Sequence, residues 1–113
     1  MQVNFDTVLK SLEGENIKKS RDSQEDLTLG FVIKEALMSQ FGDQSGNAKI
    51  KKINIAIQID KTPVQNIEED EIKMFIKLVE QSFGPLIYYR VVQILDPKML
   101  DAKPKKIEET AEV

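Results

Sequence analysis

The chain of 113 residues contains no histidine, no cysteine and no tryptophan. Without histidine it lacks the side chain most often used to move protons near neutral pH. Without cysteine it lacks a thiolate nucleophile, a soft metal ligand and any disulfide framework, so no oxidising compartment is implied. Ser11, Ser20, Ser23, Ser39, Ser45 and Ser82 therefore have no imidazole to activate them, and no glycine-rich pattern is present to cradle a phosphate. Long apolar runs are also missing. A membrane span needs about 18 consecutive apolar residues, whereas the most apolar segment, 83–95, is interrupted by Arg90 and Gln93. Met1–Asp6 shows no basic run ahead of an apolar one, so no secretory leader is expected. These absences argue against an enzyme, a cofactor or a metal centre, and for a protein that works in the cytoplasm.

What is present is a balanced globular composition, 41% hydrophobic and 31% charged, with 16 basic and 19 acidic residues and a net charge of -3. That balance gives no general attraction to a polyanion. The length fits a single domain, which we place over residues 1–97.

Val3 and Phe5 alternate with polar neighbours, which predicts an N-terminal strand. Glu13-Gly14-Glu15-Asn16 has turn chemistry, so the strand either returns as a hairpin through Ile17 or ends in a helical turn, with Leu9 and Leu12 packed inward. Residues 18–26 carry no apolar side chain and read as a solvated loop. Leu29, Val32, Ile33, Ala36, Leu37 and Phe41 form one helical stripe, which predicts a helix over 28–41 capped by Thr28 and closed by Gly42. Gly30 lowers the propensity of that helix, either to admit a close neighbour or as a tolerated defect.

Residues 48–60 are ambiguous. Ile53, Ile55, Ile57 and Ile59 alternate with Asn54, Ala56, Gln58 and Asp60, which favours a strand. Ile50, Ile53, Ala56, Ile57 and Asp60 read instead as one helical face, with Lys49, Lys51 and Lys52 on the solvent side. After Thr62-Pro63, Asn66 and Glu69 have capping-box spacing at the head of a helix whose stripe is Ile72, Phe75, Ile76, Val79 and Phe83. Gly84 is expected to end it and Pro85 to open the next helix, 85–95, which is apolar nearly all round. Residues 98–113 lose periodicity and read as a disordered tail.

Three side-chain groups invite a functional reading. Tyr88, Tyr89 and Arg90, with Val92, form a candidate protein interface, because tyrosine and arginine are enriched at binding hot spots. Lys18, Lys19, Arg21, Lys49, Lys51 and Lys52 form a candidate basic patch if the fold brings them together, although no aromatic residue is interleaved to stack on bases. The run Glu68-Glu69-Asp70-Glu71 reads as a helix start charged to suit its dipole rather than as a cation site, since consecutive helical residues point away from one another.

The order of these features resembles a set of small uncharacterised proteins encoded by tailed bacteriophages and prophages. Val3-Asn4-Phe5 with Val8-Leu9 and Leu12-Glu13-Gly14 is similar to that family's opening strand and turn. Leu27-Thr28-Leu29-Gly30 with Ala36-Leu37 resembles its first capped helix, and Lys51–Ile59 occupies the place of a Lys-led segment that is helical there. Glu69, Glu71 and Ile72, Ile76-Lys77-Leu78-Val79 and Gly84-Pro85-Leu86 resemble its closing helix pair. The resemblance implies a fourth helix at 48–60 and a bacterial host, and it carries no activity and no catalytic residue.

The expected architecture is mainly α: a small bundle of three to four helices, a short N-terminal hairpin or strand, and the tail. Its core should be Leu29, Val32, Ile33, Leu37, Phe41, Ile72, Phe75, Ile76, Val79, Phe83, Leu86 and Leu95. The expected function is a non-enzymatic protein–protein interaction module, a phage accessory factor acting through the helix at 85–95 on a host or viral protein or on itself. The alternatives are a chaperone or minor component of virion head or tail assembly, and a nucleic-acid binder using the basic patch.

Overall fold

The computed structural model describes residues 1–101 and is mainly helical, with a short strand pair at its N-terminal end. Strand β1 (Gln2–Asn4) turns Val3 into the core and Gln2 and Asn4 to solvent, as the alternation requires. Its partner is not local. β1 pairs antiparallel with β2 (Val64–Asn66) in the register Gln2↔Asn66, Val3↔Gln65, Asn4↔Val64. The pairing extends past both ends, where Phe5 N–H donates to the Pro63 carbonyl at 2.7 Å and Ile67 N–H to that of Met1 at 2.8 Å.

A hairpin does form, but beyond β1, between Leu9-Lys10 and Asn16-Ile17, rather than with β1 as one of its arms. Gly14 adopts φ 88° at its tip, and Ser11 N–H donates to the Glu15 carbonyl at 2.8 Å. Leu12 sits at this tip, 80% exposed, and not in the core as its hydrophobicity suggested. The chain then doubles back again through 18–26. Ile17 N–H bonds the Leu9 carbonyl at 3.0 Å and Leu27 N–H the Ile17 carbonyl at 2.6 Å, so Leu9, Ile17 and Leu27 lie side by side against the core.

Thr28 caps α1 (Leu29–Leu37), its hydroxyl accepting from Phe31 N–H at 3.1 Å. The stripe is buried, but the helix stops at Leu37. Ser39 Oγ donates to the Ala36 carbonyl at 2.6 Å, and Gly42 turns the chain with φ 78°. Phe41 is therefore carried out to the surface, 44% exposed. Gly30 is explained by close approach: its N–H donates to the Phe5 carbonyl at 2.7 Å, and a Cβ there would lie 3.0 Å from that oxygen and 3.2 Å from Ile59 Cγ2.

The ambiguous segment is helix α2 (Gly46–Lys61), capped by Ser45 through Ala48 N–H at 3.2 Å. A strand there would need a sheet to cover one of its faces, and the described residues contain only the pair of three-residue strands. The helical face read from the sequence is largely reversed, although Ala56 does pack inward and Lys49 and Lys51 do face solvent. Lys52 and Ile59 are buried and Ile55 and Ala56 pack against the core, whereas Ile50, Ile53 and Ile57 face solvent.

β2 claims Asn66, so the expected capping box does not form. α3 (Glu69–Ser82) starts after Glu68, which makes no side-chain cap, with Glu69, Asp70 and Glu71 in its positively polarised first turn. It buries Ile72, Phe75, Ile76, Leu78 and Val79, and the Phe75 ring meets Phe5 edge to face at 6.3 Å. Gly84 has φ -78° and serves as the N-cap of α4 (Pro85–Leu95) rather than as a left-handed stop. Phe83 and Leu86 are half-buried. A last turn, α5 (Lys98–Asp101), stands where the tail was expected to begin, and the rest of that expected tail lies outside the described residues. α1 packs on α2 and on α3, and α3 also packs on α4.

Candidate protein-docking site

The tyrosine–arginine group on α4 is built mainly into the fold. Arg90 uses all three guanidinium nitrogens: Nε donates to the Lys10 carbonyl at 2.8 Å, Nη2 to that of Ser11 at 2.7 Å and Nη1 to Gln93 Oε1 at 2.9 Å. It thereby ties the N-terminal hairpin onto α4. Val92 is 1% exposed, so it packs in the core and cannot meet a partner. Tyr88 is half-buried, and burial, with the Glu80 carboxylate nearby, pushes its hydroxyl pKa up. Of the four residues expected at an interface, Tyr89 alone stands out from the surface, with the Arg90 guanidinium 5.7 Å from its ring centre.

The basic patch is also dismantled by local partners. Lys18 pairs with Asp26 at 2.6 Å and Lys19 with Glu25 at 2.7 Å, and these contacts hold both carboxyls below their usual range. Lys19 also lies 4.8 Å from the centre of the Phe31 ring. Lys52 is 6% exposed, its ammonium donating to the carbonyls of Phe41 at 3.0 Å and Asp43 at 2.9 Å. It fastens the α1–α2 connection instead of facing a phosphate. Within that connection the Asp43 carboxylate accepts from Ser45 N–H at 2.9 Å, which lowers its pKa. Among the described residues only Arg21, Lys49 and Lys51 of the six make no ion pair and no such carbonyl contact.

A continuous exposed apolar stripe lies on α2. Ile50, Ile53 and Ile57 are 63%, 47% and 44% exposed. At 100° per residue they fall within an arc of roughly 60°, so they form one stripe along about two turns. Met38 extends the apolar surface on one side, where a shallow hollow runs between it and Ile53 over Leu37 and Lys49. On the other side a cleft of about 360 Å³ separates α2 from β2 and α3, with Ile55, Ile59 and Phe75 in its floor and Asn54, Gln58 and Gln65 at its rim. Such a surface offers dispersion contact and a polar surround of amides with the charged Lys51 and Glu71. The described residues contain no group of three or more acidic side chains placed to hold a metal ion, and no helix long and apolar enough to cross a membrane.

The sequence groups Ile50, Ile53 and Ile57 on one helical face, but the structure turns that face to solvent rather than to the core. Ile50, Ile53 and Ile57 stand at i, i+3 and i+7, while Lys52, Ile55, Ala56 and Ile59 mark the opposite side. Comparison of the chain with protein-family models, with curated proteins and with solved structures found no match in any of the three.

Proposed function

We propose that this chain is a non-enzymatic protein–protein interaction module and that it docks through α2. The observation that carries the reading is the exposed stripe of Ile50, Ile53 and Ile57. An apolar patch of this kind, rimmed by polar side chains, marks interaction sites on globular proteins. The non-enzymatic part rests on a chain without histidine or cysteine. The phage setting, and with it a bacterial cytoplasm, rests on the sequence resemblance. The docking helix differs from the one the sequence pointed to, since α4 spends Val91, Val92 and Leu95 on the core.

A photo-cross-linking residue placed at position 53 of the chain expressed in bacteria tests this. A discrete protein adduct is expected from position 53 and none from position 12, which is even more exposed but stands alone at a hairpin tip. The adduct should disappear in the Ile50→Asp, Ile57→Asp variant. Absence of any protein adduct at position 53 would remove the proposal.

A further inference from the structure

We infer that the partner of α2 is the α2 helix of a second copy of this chain, laid antiparallel across a two-fold axis near Ile53. This rests on α2 being a docking face at all. The argument is self-complementarity. Turned end for end about Ile53, the stripe matches itself: Ile53 meets Ile53, and Ile50 meets Ile57 of the second copy. The three residues span about 10 Å of helix, enough for a seam of two turns.

The flanking charges and the helix dipoles together favour the antiparallel direction. On a helical wheel Lys49 and Asp60 lie on the same flank of the stripe, and Asn54 and Lys61 on the other. In the antiparallel arrangement Lys49 of each copy comes within about 4.5 Å of axial register with Asp60 of the other, within reach of the long lysine side chain. Two symmetric ion pairs result, and the two Asn54 amides face each other at the axis. Both partners are available. Lys49 makes no ion pair among the described residues, and the Asp60 side chain is 65% exposed, with Lys34 of α1 holding one of its two oxygens. A parallel arrangement would set the Lys49–Asp60 flank of one copy against the Asn54–Lys61 flank of the other, leaving Lys49 opposite neutral amides, and would align the helix dipoles.

The area is in proportion. The stripe with Met38 amounts to several hundred Å², near the size of the largest apolar patch on a typical monomer. With its polar flanks it falls toward the lower end of specific interfaces, which bury about 800 Å² per partner. The expected product is therefore a dimer that dissociates on dilution. Isologous pairing of one patch with itself is also the commonest symmetry among homo-oligomers.

Analytical ultracentrifugation of the full chain over a wide concentration range tests the inference. A reversible monomer–dimer equilibrium is expected, and Ile53→Asp should weaken it on the order of 100-fold or more by setting two carboxylates in the seam, with the helical circular dichroism unchanged. Lys49→Glu and Asp60→Lys should each weaken self-association about tenfold. Mixed together they should restore a heterodimer, because each then offers the charge the other needs. A chain monomeric at every concentration, a dimer indifferent to Ile53→Asp, or a charge-swapped pair that fails to recover would each overturn the antiparallel dimer. A monomeric chain that still yields the position-53 adduct with a different protein would overturn the dimer while leaving α2 as a docking face. Loss of both would remove both.

Discussion

α1 and α2 are neighbours in sequence and in space, and both are rich in aliphatic residues, yet they use them differently. In α1 the apolar side chains recur at helical spacing and every one from Leu29 to Leu37 except half-buried Phe31 is buried. In α2 the isoleucines recur at spacing two, and a helix distributes such a pattern around its whole circumference. Ile59 goes into the core while Ile50, Ile53 and Ile57 go to solvent. α1 is thus held by its contents, whereas α2 is held by one side and leaves the other unspent. The comparison teaches that hydrophobic content alone does not locate a core; the period of the pattern against the geometry of the element does.

The sharpest way to break this contrast is to delete the same atoms on either side of it. Ile33→Ala in α1 and Ile59→Ala on the inner face of α2 are each expected to cost about 2–5 kcal/mol, through lost burial and the cavity left behind. Ile53→Ala, measured at a concentration low enough to keep copies apart, should stay within about 0.5 kcal/mol of the parent. Urea denaturation followed by circular dichroism reads all three. An Ile53→Ala penalty equal to that of Ile59→Ala would mean that the two faces of α2 have been assigned the wrong way round.

A smaller effect is expected at Lys52, the one place where α2 buries a charge. Its ammonium lies beside Gly42, where a Cβ would be 3.5 Å from Nζ, and satisfies the Phe41 and Asp43 carbonyls. Lys52→Met keeps most of the stem and removes the donors, so it should destabilise by about 1–2 kcal/mol. Amide hydrogen exchange should accelerate across residues 38–45 and remain unchanged in α3. Uniform acceleration throughout the chain would show that Lys52 supports the whole core and not this connection.

Much of the helical frame was legible from the sequence because its signals are local. The Thr28 cap, the α1 and α3 stripes and Pro85 at the first turn of α4 each act within a few residues, and the structure reproduces them. The features that escaped are non-local. β1 pairs with Val64–Asn66, far along the chain, while Phe5 and Ile59 close on Gly30, and nothing near Asn66 announces that it belongs to a strand rather than to a cap. Phe41 was assigned to the core by continuing the α1 period past the point where Ser39 ends the helix. Arg90 looked like an interface residue because its acceptors, the carbonyls of Lys10 and Ser11, lie at the other end of the chain. The α2 stripe was written in the spacing of its isoleucines, but choosing which of two faces points outward required α1 to be in place.

The smallest expected effect lies in the N-terminal region, which sets charge contacts against the aliphatic burial of α1. The turn over residues 18–26 has no apolar side chain and is closed by Lys18–Asp26 and Lys19–Glu25. The hydrogen bond from Lys18 is the main cause lowering the Asp26 pKa, and that from Lys19 does the same for Glu25. A carboxyl that binds its proton less tightly in the folded chain than in the unfolded one stabilises the fold above the ordinary carboxylate range, and that contribution fades as the pH falls through the lowered values. Both groups are open to solvent, so the effect should be confined to this turn. A carbon-13 titration of the side-chain carboxyls should place Asp26 below the ordinary value of about 3.9 and Glu25 below about 4.3. Lys18→Gln should move the Asp26 midpoint back up while Glu25 stays where it was. If Asp26 in the parent chain already titrates at the ordinary value, the backbone bonds of Leu9, Ile17 and Leu27 hold this region without help from its charges, and the contrast with α1 reduces to one between hydrogen bonds and packing.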